Sequence, residues 1–204
     1  MPDGPGTSDD AGTPVPGPDR VGDAVRAVDR AAFLPASARS RAGEDHPIDI
    51  GFGATCSQPS TVAEMLRLLE VPPGAWALDV GSGSGWTTAL LAHLVGPTGE
   101  VLGVELVPEL VDRSAQALAA CETPWASVQQ AAPGVLGSPR PGGWDRILVS
   151  AAAETLPADL VDQLADGGRM VAPVRHVLVL VERDGEQLRT SEHGTYTFVP
   201  LRRP

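Results

Sequence analysis

The sequence predicts an α/β protein built on a doubly wound, mostly parallel sheet. Three observations carry that prediction. Short apolar strands alternate with helix-period segments from Ala75 to Gly168. A glycine-rich turn at residues 81–85 joins the first of these strands to the next helix. After Met170 the strands follow one another with no helix between them. Repeated strand–helix units imply a Rossmann-like sheet with helices on both faces, and the closing strands imply an antiparallel C-terminal edge.

Residues 1–19 are rich in Pro, Gly and Asp and nearly free of large apolar side chains, so they are expected to form a disordered acidic tail ahead of a single domain over 20–204. Val21, Ala24, Val25, Val28 and Ala32 recur at helical spacing behind Asp19 as N-cap, with Leu34-Pro35 as the stop. Residues 43–58 read as a loop, broken by Gly and Pro. A helix follows, opened by Pro59 or, slightly later, by a capping box of Thr61 and Glu64. Ala75–Val80 is then a strand, Gly85–Val95 a helix, Glu100–Leu106 a strand, and a helix opens at Pro108. Ala126–Gln129 and Arg146–Ser150 are strands, and Leu160, Val161 and Leu164 mark a helix stopped by Gly167-Gly168. Met170–Pro173, Val177–Glu182, Gln187–Ser191 and Thr195–Leu201 read as strands, with Asp184-Gly185 as a hairpin signal.

Composition removes several function classes. A net charge of −11, with no basic cluster beyond Arg202-Arg203, argues against a nucleic-acid partner. All 15 basic residues are arginine, which excludes a Schiff-base lysine and the phosphate-gripping lysine of P-loop enzymes. No apolar run approaches the roughly 20 residues of a membrane helix, and the first residues lack the pattern of a signal peptide, so a cytoplasmic protein without a membrane partner is expected. Cys56 and Cys121 form neither a disulfide framework nor a metal-ligand spacing, and the four histidines are scattered. No metal is expected, and the chain is expected to be a monomer.

The most specific segment is Asp79-Val80-Gly81-Ser82-Gly83-Ser84-Gly85-Trp86. It leaves a strand and opens a helix, where glycines let the backbone approach a ligand and free N–H groups of the helix start can meet polar ligand groups. A dinucleotide fingerprint would place its third glycine at 86, where this chain has Trp. Glu105 closes the next strand, 20 residues past Gly85, beside Leu106. A carboxylate there can accept hydrogen bonds from both hydroxyls of a ribose. Asp79, the 81–85 loop, Glu105 and Leu106 are therefore the candidate cofactor-binding residues.

The tighter G-x-G-x-G spacing with Asp79 upstream resembles motif I of class I methyltransferases. The likeness then narrows. Asp45-His46-Pro47 through Ile50-Gly51 and Thr55-Cys56-Ser57-Gln58-Pro59 resemble the signature of the protein-L-isoaspartate O-methyltransferase family. So do Val104-Glu105 with Pro108-Glu109-Leu110, Trp144-Asp145-Arg146-Ile147, Gly167-Gly168-Arg169-Met170-Val171-Ala172-Pro173-Val174, and Phe198-Val199-Pro200-Leu201. The resemblance covers roughly residues 21–201. It implies methyl transfer from S-adenosyl-L-methionine to the free carboxylate of an isoaspartyl or D-aspartyl residue in a protein or peptide, followed by succinimide formation and repair to aspartate. It also implies Ser57 as the catalytic, acceptor-orienting serine, with Thr55, Phe198 and Val199 on the substrate side. The chain departs from the family at Ala131-Ala132-Pro133-Gly134, where an acid near the adenine is usual, and at Gly43 and Arg175. Those departures keep two alternatives open: an enzyme that methylates aspartate in one dedicated, ribosomally made peptide, and a degenerate fold that only binds cofactor.

Overall fold

The structure is a computed structural model that describes residues 19–204. The expected tail lies outside the described residues except for Asp19, whose carboxylate accepts the Gly22 N–H (3.0 Å) and caps helix α1, Arg20–Ala27. The helix expected to continue to Leu34 stops here. Asp29 accepts the Ala31 N–H (2.9 Å) and starts a separate 3-10 turn over Arg30–Phe33, followed by a second over Ala36–Arg41. The Val28 carbonyl at the break receives the Trp86 indole N–H (3.3 Å).

The loop expected over 43–58 contains a small antiparallel hairpin, β1 (Ile48–Gly51) and β2 (Ala54–Cys56). Ile48 and Ile50 point into the core while Asp49 faces out, a period-two pattern too short to stand out among the flanking Gly and Pro residues. Helix α2 (Pro59–Leu69) starts at Pro59 rather than at the Thr61–Glu64 box. Its N-terminus is served from a distance: Asp45 accepts the Ser60 N–H (2.9 Å) and the Gln58 amide (3.1 Å).

The main sheet consists of β3 (Trp76–Val80), β4 (Glu100–Glu105), β5 (Ala126–Gln130), β6 (Trp144–Val149), β7 (Leu164–Val174), β8 (Val177–Asp184) and β9 (Gln187–Thr195). Their order is β5-β4-β3-β6-β7-β8-β9, parallel through β7 and antiparallel at β8 and β9. One face packs against α1, α2, α3 (Trp86–Val95) and α4 (Pro108–Ala119) through side chains such as Leu66, Leu69, Leu90, Leu91 and Leu148. The other face buries Leu78, Val80, Val104, Ile147, Val149 and Met170 with Leu136 and Leu160, the latter on the one-turn helix α5 (Ala158–Val161).

Two sequence expectations need correction at the β7 end. The helix read through Leu164 is a single turn, because the Gln163 side chain bonds Leu136 and Asp159 carbonyls and the Ser138 N–H and so closes it early. Gly167-Gly168 do not stop a helix but lie in an irregularity of β7, where Trp144 pairs with Leu164 and Arg146 already pairs with Arg169. Thr195–Leu201 is not a strand either. After β9 the chain crosses the end of β6, pinned by Ala152 N–H to Val199 O and Leu201 N–H to Ala152 O, both 2.8 Å.

The chain ahead of α2 is organised around Arg30. This arginine is 5% exposed, and its guanidinium donates to five backbone carbonyls: Ala42, Glu44, His46, Cys56 and Ser57, at 2.8–3.2 Å. Its other side lies 5.4 Å from the centre of the Trp86 ring. One buried cation thus ties three stretches of irregular backbone to the first turn of α3.

Candidate functional site

The strand order reverses at β3, whose neighbours β4 and β6 lead away in opposite directions, and ligands of open α/β sheets bind beyond the carboxyl ends of strands at such a point. A cavity opens there. Its floor is Val80, Gly81, Gly83, Val104, Glu105, Ser150 and Ala151 at the ends of β3, β4 and β6. One wall is Leu106, Val107, Ala131, Leu136 and Gly137; the other is formed by Phe52–Thr55 of the hairpin and the Val199–Arg202 crossing.

Glu105 is the best-held polar group in the cavity. One carboxylate oxygen, Oε2, accepts the Gly83 N–H (2.9 Å), and Oε1 accepts the Leu106 and Val107 N–H groups (2.7 and 3.0 Å). An ionised carboxylate has about four acceptor sites, so three fixed donors leave one on Oε2 for a ligand hydroxyl. The same bonds tie the tip of the glycine loop to the end of β4. Gly103 makes the approach possible: a Cβ there would lie 2.9 Å from Thr88 Oγ1 and 3.0 Å from Ser82 Cβ.

The loop itself differs from the sequence expectation of free N–H groups. Gly81 and Ser82 donate to Val104 O, Gly83 to Glu105, and Gly85 to Ser82 O, so four of the five loop N–H groups are already bonded within the protein. What the loop offers a ligand is a surface without side chains at Gly81 and Gly83. Gly85 serves packing: at φ 84° it could carry a Cβ only by meeting Ser114 Cβ at 2.8 Å. Ser82 is buried beneath the loop, with no hydrogen-bond partner for its Oγ among the described residues, and Ser84 lies on the other side, near Phe33 and Arg113. Neither serine lines the cavity.

Asp79 does not reach the cavity directly. It is fully buried and accepts from Thr88 Oγ1 (2.8 Å) and Ser150 Oγ (3.0 Å), and Ser150 carries the connection to the cavity floor. Loss of solvation pushes its carboxyl up to about 6, with the two hydroxyl bonds opposing the shift and the nearby Glu105 charge adding to it.

On the hairpin side, Thr55 lines the cavity and Ser57 does not. Cys56 is buried in the core, so strand alternation turns Thr55 the other way, toward the cavity, and β2 ends before Ser57. The Ser57 carbonyl is held by Arg30, and the capping duty a serine could perform before α2 is taken by Asp45. Of the closing segment, Val199 lines the cavity, whereas Phe198 packs against Tyr196 with ring centres 6.5 Å apart. Sequence reasoning passed over Ser150, Leu136, Gly137 and Arg202. Ser150 had a usable signal, being the last residue of a predicted parallel strand next to the switch point. The others stand in irregular chain with no spacing rule. Among the described residues no three His, Cys, Asp or Glu side chains gather as metal ligands, and no helix is long and apolar enough to cross a membrane.

Comparison with known proteins gives a consistent result. The family model described as protein-L-isoaspartate(D-aspartate) O-methyltransferase matches residues 14–203. A protein-L-isoaspartate O-methyltransferase of Anaeromyxobacter dehalogenans is 46% identical over 189 residues, which cover 89% of this chain and 88% of that one. One from Methanopyrus kandleri is 43% identical over 188 residues, covering 89% and 83%. The crystal structure of a Plasmodium falciparum protein described as a protein-L-isoaspartate O-methyltransferase, in complex with S-adenosyl-L-homocysteine, superimposes with a TM-score of 0.78 at 27% identity, covering 91% of each chain.

The burial of Asp79 has a consequence for stability. With its folded value near 6 and an ordinary unfolded value, the folded state holds an extra proton between about pH 4 and 6. Stability contributed by this group is therefore highest below that window and falls as pH rises through it. Relative to an Asp79→Asn variant, the wild type should lose on the order of 2 kcal/mol between pH 4 and pH 6, with a small remaining loss that levels off by about pH 7. Denaturant unfolding of both proteins across that range checks this, and a constant difference between them would rule the shift out.

Proposed function

The chain belongs to the protein-L-isoaspartate(D-aspartate) O-methyltransferase family, and from that premise we propose how its cavity divides the work. The activity is S-adenosyl-L-methionine-dependent methylation of the free carboxylate of isoaspartyl or D-aspartyl residues in proteins or peptides, which leads through succinimide to aspartate repair. The single observation that carries this reading is the extent of the match: residues 14–203 take in every cavity-lining residue except Pro204. The intact Glu105 clamp on the glycine loop speaks against a degenerate fold.

In this proposal Glu105 and the Gly81–Gly85 loop hold the nucleoside and amino-acid parts of the cofactor. Asp79 stiffens the floor through Ser150 rather than touching the ligand, and Ser82 and Ser84 keep the loop in shape. The residues present fit the group: the free acceptor site on Glu105 Oε2 suits a ribose hydroxyl, and the wall of Leu106, Val107, Ala131, Leu136 and Gly137 suits a flat base. No second carboxylate lines that wall, so the base is held by apolar contact and backbone groups. The bound cofactor supplies an electrophilic methyl group.

The acceptor carboxylate is ionised near neutral pH, so no residue has to remove a proton from it. The chain has instead to hold it in line and keep water away. Thr55 offers a hydroxyl in the cavity, and Phe52, Val199 and Leu201 form an apolar mouth. Ser57, two residues on and outside the lining, is proposed to orient the acceptor as the family resemblance implies. Phe198 packs against the core and Tyr196 instead of lining the cavity. Residues 20–204 act as one methyltransferase domain, and the protein is proposed to work as a cytoplasmic monomer without a nucleic-acid or membrane partner. The net charge of −11 and two free cysteines support that setting.

Two substitutions separate the two halves of the cavity. Glu105→Ala should weaken S-adenosyl-L-homocysteine binding by roughly 1.5–3 kcal/mol, the scale of hydrogen bonds lost from a charged acceptor, and calorimetry showing unchanged affinity would refute the ribose assignment. Ser57→Ala should leave that affinity near wild type while slowing single-turnover methylation of an isoaspartyl peptide by up to about 100-fold, the scale of a misplaced reactant. Full single-turnover activity in this variant would remove Ser57 from the catalytic role. An aspartyl peptide of the same sequence, run beside the isoaspartyl one, tests the substrate itself: methylation of the isoaspartyl form alone is the expected outcome.

A further inference from the structure

We propose that Arg202 makes this enzyme prefer isoaspartyl sites that have an acidic residue next to them, by pairing with that neighbouring carboxylate at the mouth of the cavity. The proposal rests on the isoaspartyl methylation reading above and adds a specificity to it.

Only two of the side chains lining the cavity are charged, those of Glu105 and Arg202; Pro204, the last residue, lines it as well and forms no ion pair with Arg202. Glu105 sits on the floor with its carboxylate committed to three N–H groups. Arg202 is exposed at the mouth and, among the described residues, makes no hydrogen bond or ion pair, whereas Arg203 beside it pairs with Asp159 at 2.6 Å. Its guanidinium rests on the β1–β2 turn: a Cβ on Gly53 would lie 3.3 Å from Arg202 Nη2. An unpaired cation is thus held between Phe52 and the crossing segment, beside the path by which a peptide reaches Thr55. It stands on a protein of net charge −11, whose overall field opposes an anionic peptide, and so marks a local exception.

The charge it meets is not the reacting carboxylate. Methyl transfer consumes the negative charge of the nucleophile, so a guanidinium paired with it would stabilise the ground state more than the transition state and slow the reaction. An isoaspartyl residue has a single free carboxylate, since its other carboxyl group is part of the peptide chain. A second negative charge within reach of Arg202 must therefore come from a neighbouring side chain. An exposed pair of this kind is worth little in absolute terms, enough for a preference of about fivefold.

The test uses isoaspartyl peptides of one length that carry Glu or Gln immediately before or immediately after the isoaspartyl residue. Values of kcat/KM are measured for the wild type, Arg202→Gln and Arg202→Glu, with S-adenosyl-L-methionine saturating. The wild type should favour a Glu peptide about fivefold, chiefly through KM, and the preference should shrink in high salt. Arg202→Gln should abolish the preference and Arg202→Glu should reverse it, with thermal stability unchanged because the side chain is exposed. A wild type indifferent to Glu or Gln, or a preference that survives Arg202→Gln, would overturn the proposal while leaving the methylation reading intact. Failure to methylate any of the peptides would overturn both.

Discussion

Burying a guanidinium without a carboxylate beside it is unfavourable by several kcal/mol unless hydrogen bonds replace the lost water. Arg30 meets most of that demand with backbone carbonyls at Nη1 and Nη2, Nε alone having no partner among the described residues. Nη1 serves Ala42 and Glu44; Nη2, with two N–H groups, serves His46, Cys56 and Ser57, so at least one bond is shared. Each of those carbonyls belongs to chain that has no helix or long ladder to bond to, and buried carbonyls must be paired somewhere. The arginine and the irregular segment are thus each other's solution. The consequence is geometric: the hairpin that bears Thr55 and the residue Ser57 are fixed relative to Trp86, the first residue of α3, and so relative to the glycine loop one residue earlier.

The cofactor side is held by a separate set of bonds. Glu105 joins the ends of β3 and β4 across the loop, and Asp79 joins α3 to the end of β6 through Thr88 and Ser150. These contacts are all made within the protein, and a cavity floor fixed by its own hydrogen bonds lowers the ordering needed on binding. The two halves meet along the Val199–Arg202 crossing, which is fastened to Ala152 and closes the cavity over both.

Much of this was legible in the sequence where periodicity was long or glycine spacing was specific. The alternation from Ala75 to Ser150, the loop at 81–85 and Glu105 all lie where the pattern placed them. The rest was hidden for physical reasons. Arg30 follows Asp29 in a stretch that looks like any helix end with surface charges, and nothing local says that its partners lie 12 to 27 residues away. The β1–β2 hairpin is three and four residues per strand, below the length at which alternation is distinguishable from a loop. Asp79 was assigned to the ligand because of its place in the motif, whereas its rotamer turns it under the sheet end toward Thr88. Gly167-Gly168 carry a helix-stop composition but serve as a strand irregularity, a choice decided by pairing with β6 and not by local preference.

The central claim is that one buried arginine holds the acceptor side of the cavity in place, and amide hydrogen exchange tests it most directly. Exchange across residues 42–57 is to be compared in the wild type, Arg30→Lys and Arg30→Met, with Arg30→Lys as the milder change should Arg30→Met fold poorly. The account predicts at least about tenfold faster exchange in that segment, the scale of losing roughly 1.4 kcal/mol of local stability, with β3 and β4 protected as before. Wild-type protection of residues 42–57 in a folded Arg30 variant would contradict it.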